Sequence, residues 1–167
     1  MSVYLTKELR EQLLDADDHC CAYCQTTQAN SGYPMVVDHI NPRSKDGQTL
    51  FMNLCFACYR CNLFKNDTTE RDDPLTGEVT PLFDPRCQHW TEHFAWSNDG
   101  TQVVGITPVG RVTVIALNMN NDAIVDARRN WVRVGWHPPA RRDASAIPRS
   151  RHVLDDHRRN VGDGYTA

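Results

Sequence analysis

Apolar residues recur along the first stretch of the chain at spacings of three and four, at Leu5, Leu9, Leu13 and Ala16, with polar residues between them. This is one face of a helix, and Thr6 stands where its cap belongs, so the pattern predicts a helix over residues 6–18. Met35-Val36-Val37 leads into Asp38-His39-Ile40, and Pro42 stops regular structure, which predicts a strand ending at His39. Polar residues 43–48, with Asp46-Gly47, make a loop, and residues 50–56 return as a second strand or an irregular segment. A helix is predicted over residues 61–67. Asp73-Pro74 and Thr76-Gly77 mark turns, and residues 79–83 read as extended. Residues 93–97 and 101–106, joined through Asn98-Asp99-Gly100, form a hairpin pattern. Thr107-Pro108 is a cap followed by proline, opening a helix to about Leu117. A last helix over 122–134 carries Ala123, Ile124, Ala127, Trp131 and Val134 on one side, and Trp131 and Trp136 are expected in the core. From residue 140 the composition turns to Arg, Asp and Ser, which predicts a mobile polar tail over 140–167.

These elements fit an α+β protein of 167 residues, with 40% hydrophobic and 23% charged residues, the usage of an ordinary globular chain. No apolar run approaches the ~18 residues of a membrane span. The N-terminal sequence lacks a basic segment followed by an apolar one, so the expected location is the cytoplasm. The formal charge is -3, which argues against coating nucleic acid by bulk electrostatics and leaves only local binding. Positive charge gathers over residues 38–71, over 101–137 and in the tail at Arg141, Arg142, Arg149, Arg151, Arg158 and Arg159. Four aspartates interleave with those tail arginines, so a solvated end is the simpler reading and a DNA-binding arm the sharper one.

The seven cysteines change the picture. An odd number without an export signal is a poor disulfide framework, and six of them fall between residues 20 and 61. Cys21-Ala-Tyr-Cys24 and Cys58-Tyr-Arg-Cys61 are two Cys-x-x-Cys pairs. Each pair can turn two thiolates to one ion, and four thiolates complete the closed tetrahedron of a structural zinc site. Cys20 and Cys55 sit beside this set, and Cys55-Phe-Ala-Cys58 has the same spacing, so spacing alone does not choose between them.

Between the pairs lie Asp38-His39-Ile40-Asn41-Pro42 and Asn53-Leu54, and after them Cys61-Asn62-Leu63-Phe64-Lys65. Together with the cysteines this order resembles the HNH endonucleases, the His-Me or ββα-metal finger nucleases, over about residues 21–67. Residues 82–139, through Trp90, Phe94, Trp96 and Gly135-Trp136-His137-Pro138-Pro139, resemble the C-terminal half of a bacterial group of HNH proteins. The resemblance implies a ββα-metal module stapled by zinc within residues 1–72, an α+β extension over 73–139 packed on it, and the tail beyond.

It also implies chemistry. Cutting a phosphodiester needs a base to deprotonate water, a Lewis acid on the phosphate and donors to hold the scissile group. His39 is the implied base, since neutral imidazole is available near pH 7. Asp38 and Asn62 offer hard oxygens to Mg2+ or Mn2+. Asn53 is implied to tie the loop backbone around His39. Lys65, one turn beyond Asn62, is expected to meet a phosphate. Asn62 departs from the histidine in the family's name and takes away an imidazole ligand. Arg43 and Arg60 are candidate phosphate contacts, although solvated surface side chains are the simpler description of both and of Lys45. His89 and His93, four apart, would pair only on a helix, and their segment is expected to become a strand. His19, His137, His152 and His157 carry no motif.

The sequence therefore points to a divalent-metal-dependent endonuclease hydrolysing DNA, leaving a 3'-hydroxyl if it behaves as the family does, with specificity open to supply by a companion protein. The rival readings are a zinc-held nucleic-acid-binding module without catalysis and a nuclease directed at RNA.

Overall fold

The structure is a computed structural model, and residues 5–139 are described; the polar tail expected over 140–167 lies outside them. Helix α1 (Lys7–Ala16) is capped by Thr6, whose hydroxyl accepts from the Leu9 amide at 3.2 Å. Leu13 is its fully buried residue, with Leu5, Leu9 and Leu14 packed more loosely; Ala16 faces solvent. A single turn, α2 (Gln28–Ser31), precedes strand β1 (Val36–His39). Strand β2 (Leu54–Ala57) pairs with β1 antiparallel, setting Asp38 opposite Cys55 and His39 opposite Leu54. The return therefore starts later than residue 50, because residues 51–53 form a 3-10 turn first. Helix α3 (Tyr59–Lys65) packs across both strands and starts earlier than expected, since the Cys58 thiol caps it by accepting from the Cys61 amide at 3.4 Å.

The second half adds two more antiparallel pairs: β3 (Glu70–Asp72) with β4 (Val79–Pro81), and β5 (Phe94–Trp96) with β6 (Val103–Gly105). Residues 90–93 are not strand but the helical turn α4 (Trp90–His93), so the hairpin begins only at Phe94. Helix α5 (Pro108–Ala116) opens on the Thr107 cap, and α6 (Asp122–Arg133) on Asn121, whose carbonyl oxygen accepts from the Ile124 amide. The fold is α+β, built among the described residues of helices and three two-stranded antiparallel sheets.

One apolar core runs through both halves, from Leu13, Tyr23, Leu54 and Phe56 to Phe83, Phe94, Val112 and Met119. Burial of such side chains contributes roughly 1.5–3 kcal/mol each. Trp90 stacks near Phe94 and Trp96 and donates its indole N–H to the Tyr23 carbonyl at 2.7 Å, which joins α4 to the Cys21–Cys24 turn. Trp131 is half-buried. Trp136, expected in the core, is 65% exposed, because α6 ends at Arg133 and the chain turns outward through Gly135 at φ +73°.

Candidate active site and metal centre

The four thiols of Cys21, Cys24, Cys58 and Cys61 lie within 4.8 Å of one another, all buried. A tetrahedron of ~2.3 Å Zn–S bonds has sulfur–sulfur edges of about 3.8 Å, and the Cys24 and Cys58 sulfurs stand 3.7 Å apart. The donor set therefore fits zinc, and it resolves the choice that spacing left open. Cys20 is turned to the Asp18 carbonyl, and Cys55 is buried beside Tyr23 and Asp38, where loss of water pushes its thiol far up. In each pair the first sulfur accepts the amide of the second cysteine, so the turns hold their thiols in place before any ion arrives.

The sheet next to this cluster carries the Asp38-His39 pair. Successive strand residues point to opposite faces, so Asp38 turns inward and His39 outward. Asp38 is buried; its carboxylate accepts from the Tyr23 hydroxyl at 2.7 Å and from the Lys65 ammonium at 3.1 Å. Burial raises the Asp38 carboxyl above its ordinary range, while Lys65 and Tyr23 pull it back. His39 is half-buried, and its Nε2 lies 2.9 Å from the Thr49 hydroxyl. Loss of water lowers its pKa, with Asp38 opposing and the positive charges of Arg43 and Lys65 reinforcing the drop. These surroundings favour the neutral form of the imidazole.

The loop between the strands is closed by Asn53. Its carbonyl oxygen accepts from the Asn41 amide at 2.8 Å, and its side-chain nitrogen donates to the carbonyls of Asn41 at 3.0 Å and Gln48 at 2.8 Å. Gly47 packs directly on this backbone: a Cβ there would stand 1.8 Å from the Asn41 oxygen, so no other residue fits without moving the loop. Asn62 is half-buried on α3; its backbone N–H donates to the Cys58 carbonyl at 3.1 Å, and its side-chain amide makes no hydrogen bond among the described residues.

Of the residues expected at a phosphate, Lys65 stands elsewhere. Lys65 is 1% exposed, its ammonium held between the Asp38 carboxylate and the His39 carbonyl oxygen at 2.7 Å, so it binds the two strand residues together instead of reaching solvent. Arg60 is half-buried, with Nε and Nη2 closed off from solvent. Arg43 is exposed on a 3-10 turn beside His39, and Lys45 donates to Thr69 at 2.9 Å. His89 and His93 form no metal pair: His89 is exposed, and the His93 ring is tied at Nδ1 to Thr107 at 2.7 Å.

Residues 21–68 match the HNH endonuclease family model. No curated protein and no solved structure matches the chain. The HNH match spans the zinc-fitted cysteines, the Asp38-His39 strand, the Asn53 loop and the helix that carries Asn62, and it points to a nuclease or nucleic-acid-related function. No helix among the described residues is long and apolar enough to cross a membrane. Sequence reasoning passed over Tyr23 and Thr49, the partners of Asp38 and His39. Tyr23 had one available signal: it lies inside the first Cys-x-x-Cys, whose turn aims it at the sheet.

Proposed function

We propose that the protein is a cytoplasmic, metal-dependent endonuclease that hydrolyses DNA phosphodiester bonds with His39 as general base, on a module held by one zinc ion at Cys21, Cys24, Cys58 and Cys61. The observation that carries this reading is the half-buried His39 imidazole, held by Thr49 at the rim of a loop locked by Asn53, in surroundings that lower its pKa. From that position His39 takes the proton of the attacking water. Asn62 and Asp38 are the residues that would hold a divalent ion. The unpartnered Asn62 amide oxygen is a hard ligand, and the Asp38 carboxylate has about four lone-pair directions of which Tyr23 and Lys65 occupy three contacts. Such an ion, when bound, supplies Lewis acidity toward the phosphate and the leaving oxygen. Arg43, exposed next to His39, places a positive charge where the backbone of a nucleic acid approaches.

The Lys65–Asp38 pair favours a second reading, a zinc-held nucleic-acid-binding module without catalysis, because an ammonium already neutralises the carboxylate. One assay separates the two. Supercoiled plasmid, and in parallel single-stranded and structured RNA, is incubated with the protein in Mg2+ or Mn2+. Plasmid nicking that His39→Ala abolishes is the expected result; binding without cleavage in both metals would establish the module, and cleavage of RNA alone would move the substrate.

A further inference from the structure

Helix α6 brings a charge to the cysteine cluster that no motif announces. Arg128 is fully buried, its guanidinium 5.2 Å above the Trp96 ring. One nitrogen, Nη1, donates to the carbonyls of Met119 at 2.9 Å and Thr101 at 3.2 Å and to the Asn120 side chain at 3.2 Å. Among the described residues the other two, Nε and Nη2, are buried without a hydrogen-bond partner, and so are Nε and Nη2 of Arg60. Arg60 stands between Cys58 and Cys61 in the turn that carries both thiols. The groups that act on the Arg128 charge are Cys24 and Cys61, which attract it, and Arg60, which repels it.

Two guanidiniums with four buried, unsatisfied N–H-bearing nitrogens are costly on their own. They become favourable next to a buried dianion. Zn2+ bound by four thiolates carries a net charge of minus two, and binding releases the thiol protons to solvent. Charge and hydrogen-bond donors then match: two cations against a dianion, and free N–H groups against sulfur lone pairs.

We propose that Arg128 and Arg60 are the paired cations that neutralise the zinc tetrathiolate, Arg128 donating from helix α6 to the ligands on the Cys21–Cys24 side. The proposal rests on the zinc reading given above. It makes α6, nearly seventy residues past the last ligand, part of the metal centre, so zinc loading holds the C-terminal half of the described chain against the nuclease module.

The test uses the full chain loaded with zinc. Zinc content of the unaltered protein is measured first, and its absence would defeat the zinc reading itself. Zinc affinity is then measured by chelator competition. Arg128→Met is expected to weaken it 10- to 100-fold, the usual cost of losing a partner to a metal ligand. Arg60→Met should weaken it in the same direction, and Arg128→Lys should keep most of it by keeping the charge. Parental affinity in both methionine variants, or equal loss in Arg128→Lys and Arg128→Met, would overturn the proposal. Should Arg128→Met fail to fold, the unaltered protein decides: with cadmium-113 in place of zinc, an arginine N–H proton should show scalar coupling to the metal through sulfur, and a cadmium-loaded protein with no such coupling would refute it.

Discussion

Arg86 lays both arms of its guanidinium on the Asp17 carboxylate, at 2.8 and 2.9 Å, while its Nε donates to the Leu54 carbonyl at 2.7 Å. Asp17 is the residue that closes helix α1, and its second oxygen also accepts the Phe56 amide at 2.7 Å. A helix end, the β2 strand and the start of the second half of the chain thus meet on one buried ion pair. Removing either partner strands the other charge away from water. Arg86→Ala or Asp17→Ala should destabilise the zinc-loaded protein by about 3–5 kcal/mol in urea unfolding. Asp17→Leu combined with Arg86→Met should lose less than either alanine variant, and a loss equal to the sum of the two would show that the pair acts through something other than mutual charge.

The placements of Lys65 and Arg43 separate binding from architecture. With turnover stopped by His39→Ala, DNA affinity is measured against salt. Arg43→Gln should reduce the salt slope by about one. Lys65→Met should leave the slope unchanged while lowering thermal stability, since the ammonium it removes is buried against Asp38. A lower slope in Lys65→Met would mean that Lys65 reaches phosphate.

His39→Ala should cut DNA ~10² to 10⁴ times more slowly while binding it as well as the parent. The pH dependence has a definite sign. Burial lowers the folded-state pKa of His39 below 6.5, so the neutral base persists to more acid conditions, and the rising limb of the rate profile should lie below pH 6.5. Arg43 contributes to that drop, so Arg43→Gln should move the limb upward. A proton NMR titration of the imidazole reads both shifts without any turnover, and a midpoint above 6.5 in the parent would contradict the desolvated environment.

In the proposed metal site Asn62 is the neutral ligand. Asn62→Ala should reduce cleavage steeply at limiting Mg2+ and recover part of it as the metal is raised. Asn62→His should keep activity while its preference moves toward manganese, cobalt or nickel, because imidazole is softer than an amide oxygen. Zinc at the cysteines should be unaltered in both. Rates against metal concentration for the three proteins check this, and parental activity of Asn62→Ala at limiting Mg2+ would remove Asn62 from the metal.

Much of this arrangement was legible because it is local. The paired cysteines, the Asp38-His39 strand end, the Thr6 cap and the Thr107-Pro108 helix start all act within a few residues of themselves. Short turns such as α2 and α4 were not legible, since four residues hold too little of a period to read. Strand β3 is exposed and polar throughout and is a strand only by pairing with β4. Lys65, Arg60 and Arg128 were hidden for a different reason. Spacing tells which face of a helix a residue occupies but not which charge will lie opposite it, and their partners come from elsewhere in the fold. Arg128 did leave a trace: it lies on the stripe that Ile124 and Ala127 share with Trp131, a cation where an apolar residue is expected.

The four-residue length of β1 makes the site a matter of odd and even positions. Asp38 faces inward toward Tyr23 and Lys65, and His39 faces the loop, only because the register with β2 has one parity. A single residue inserted between Val36 and Asp38 would exchange the two faces and set an imidazole against Lys65. The loop is as closely fixed: the Lys45 and Gly47 N–H groups both donate to the Pro42 carbonyl, and the Asn41 side chain donates to the Lys45 carbonyl at 3.1 Å. Neither the strand nor the turn over residues 43–47 should therefore accept an engineered insertion without moving His39.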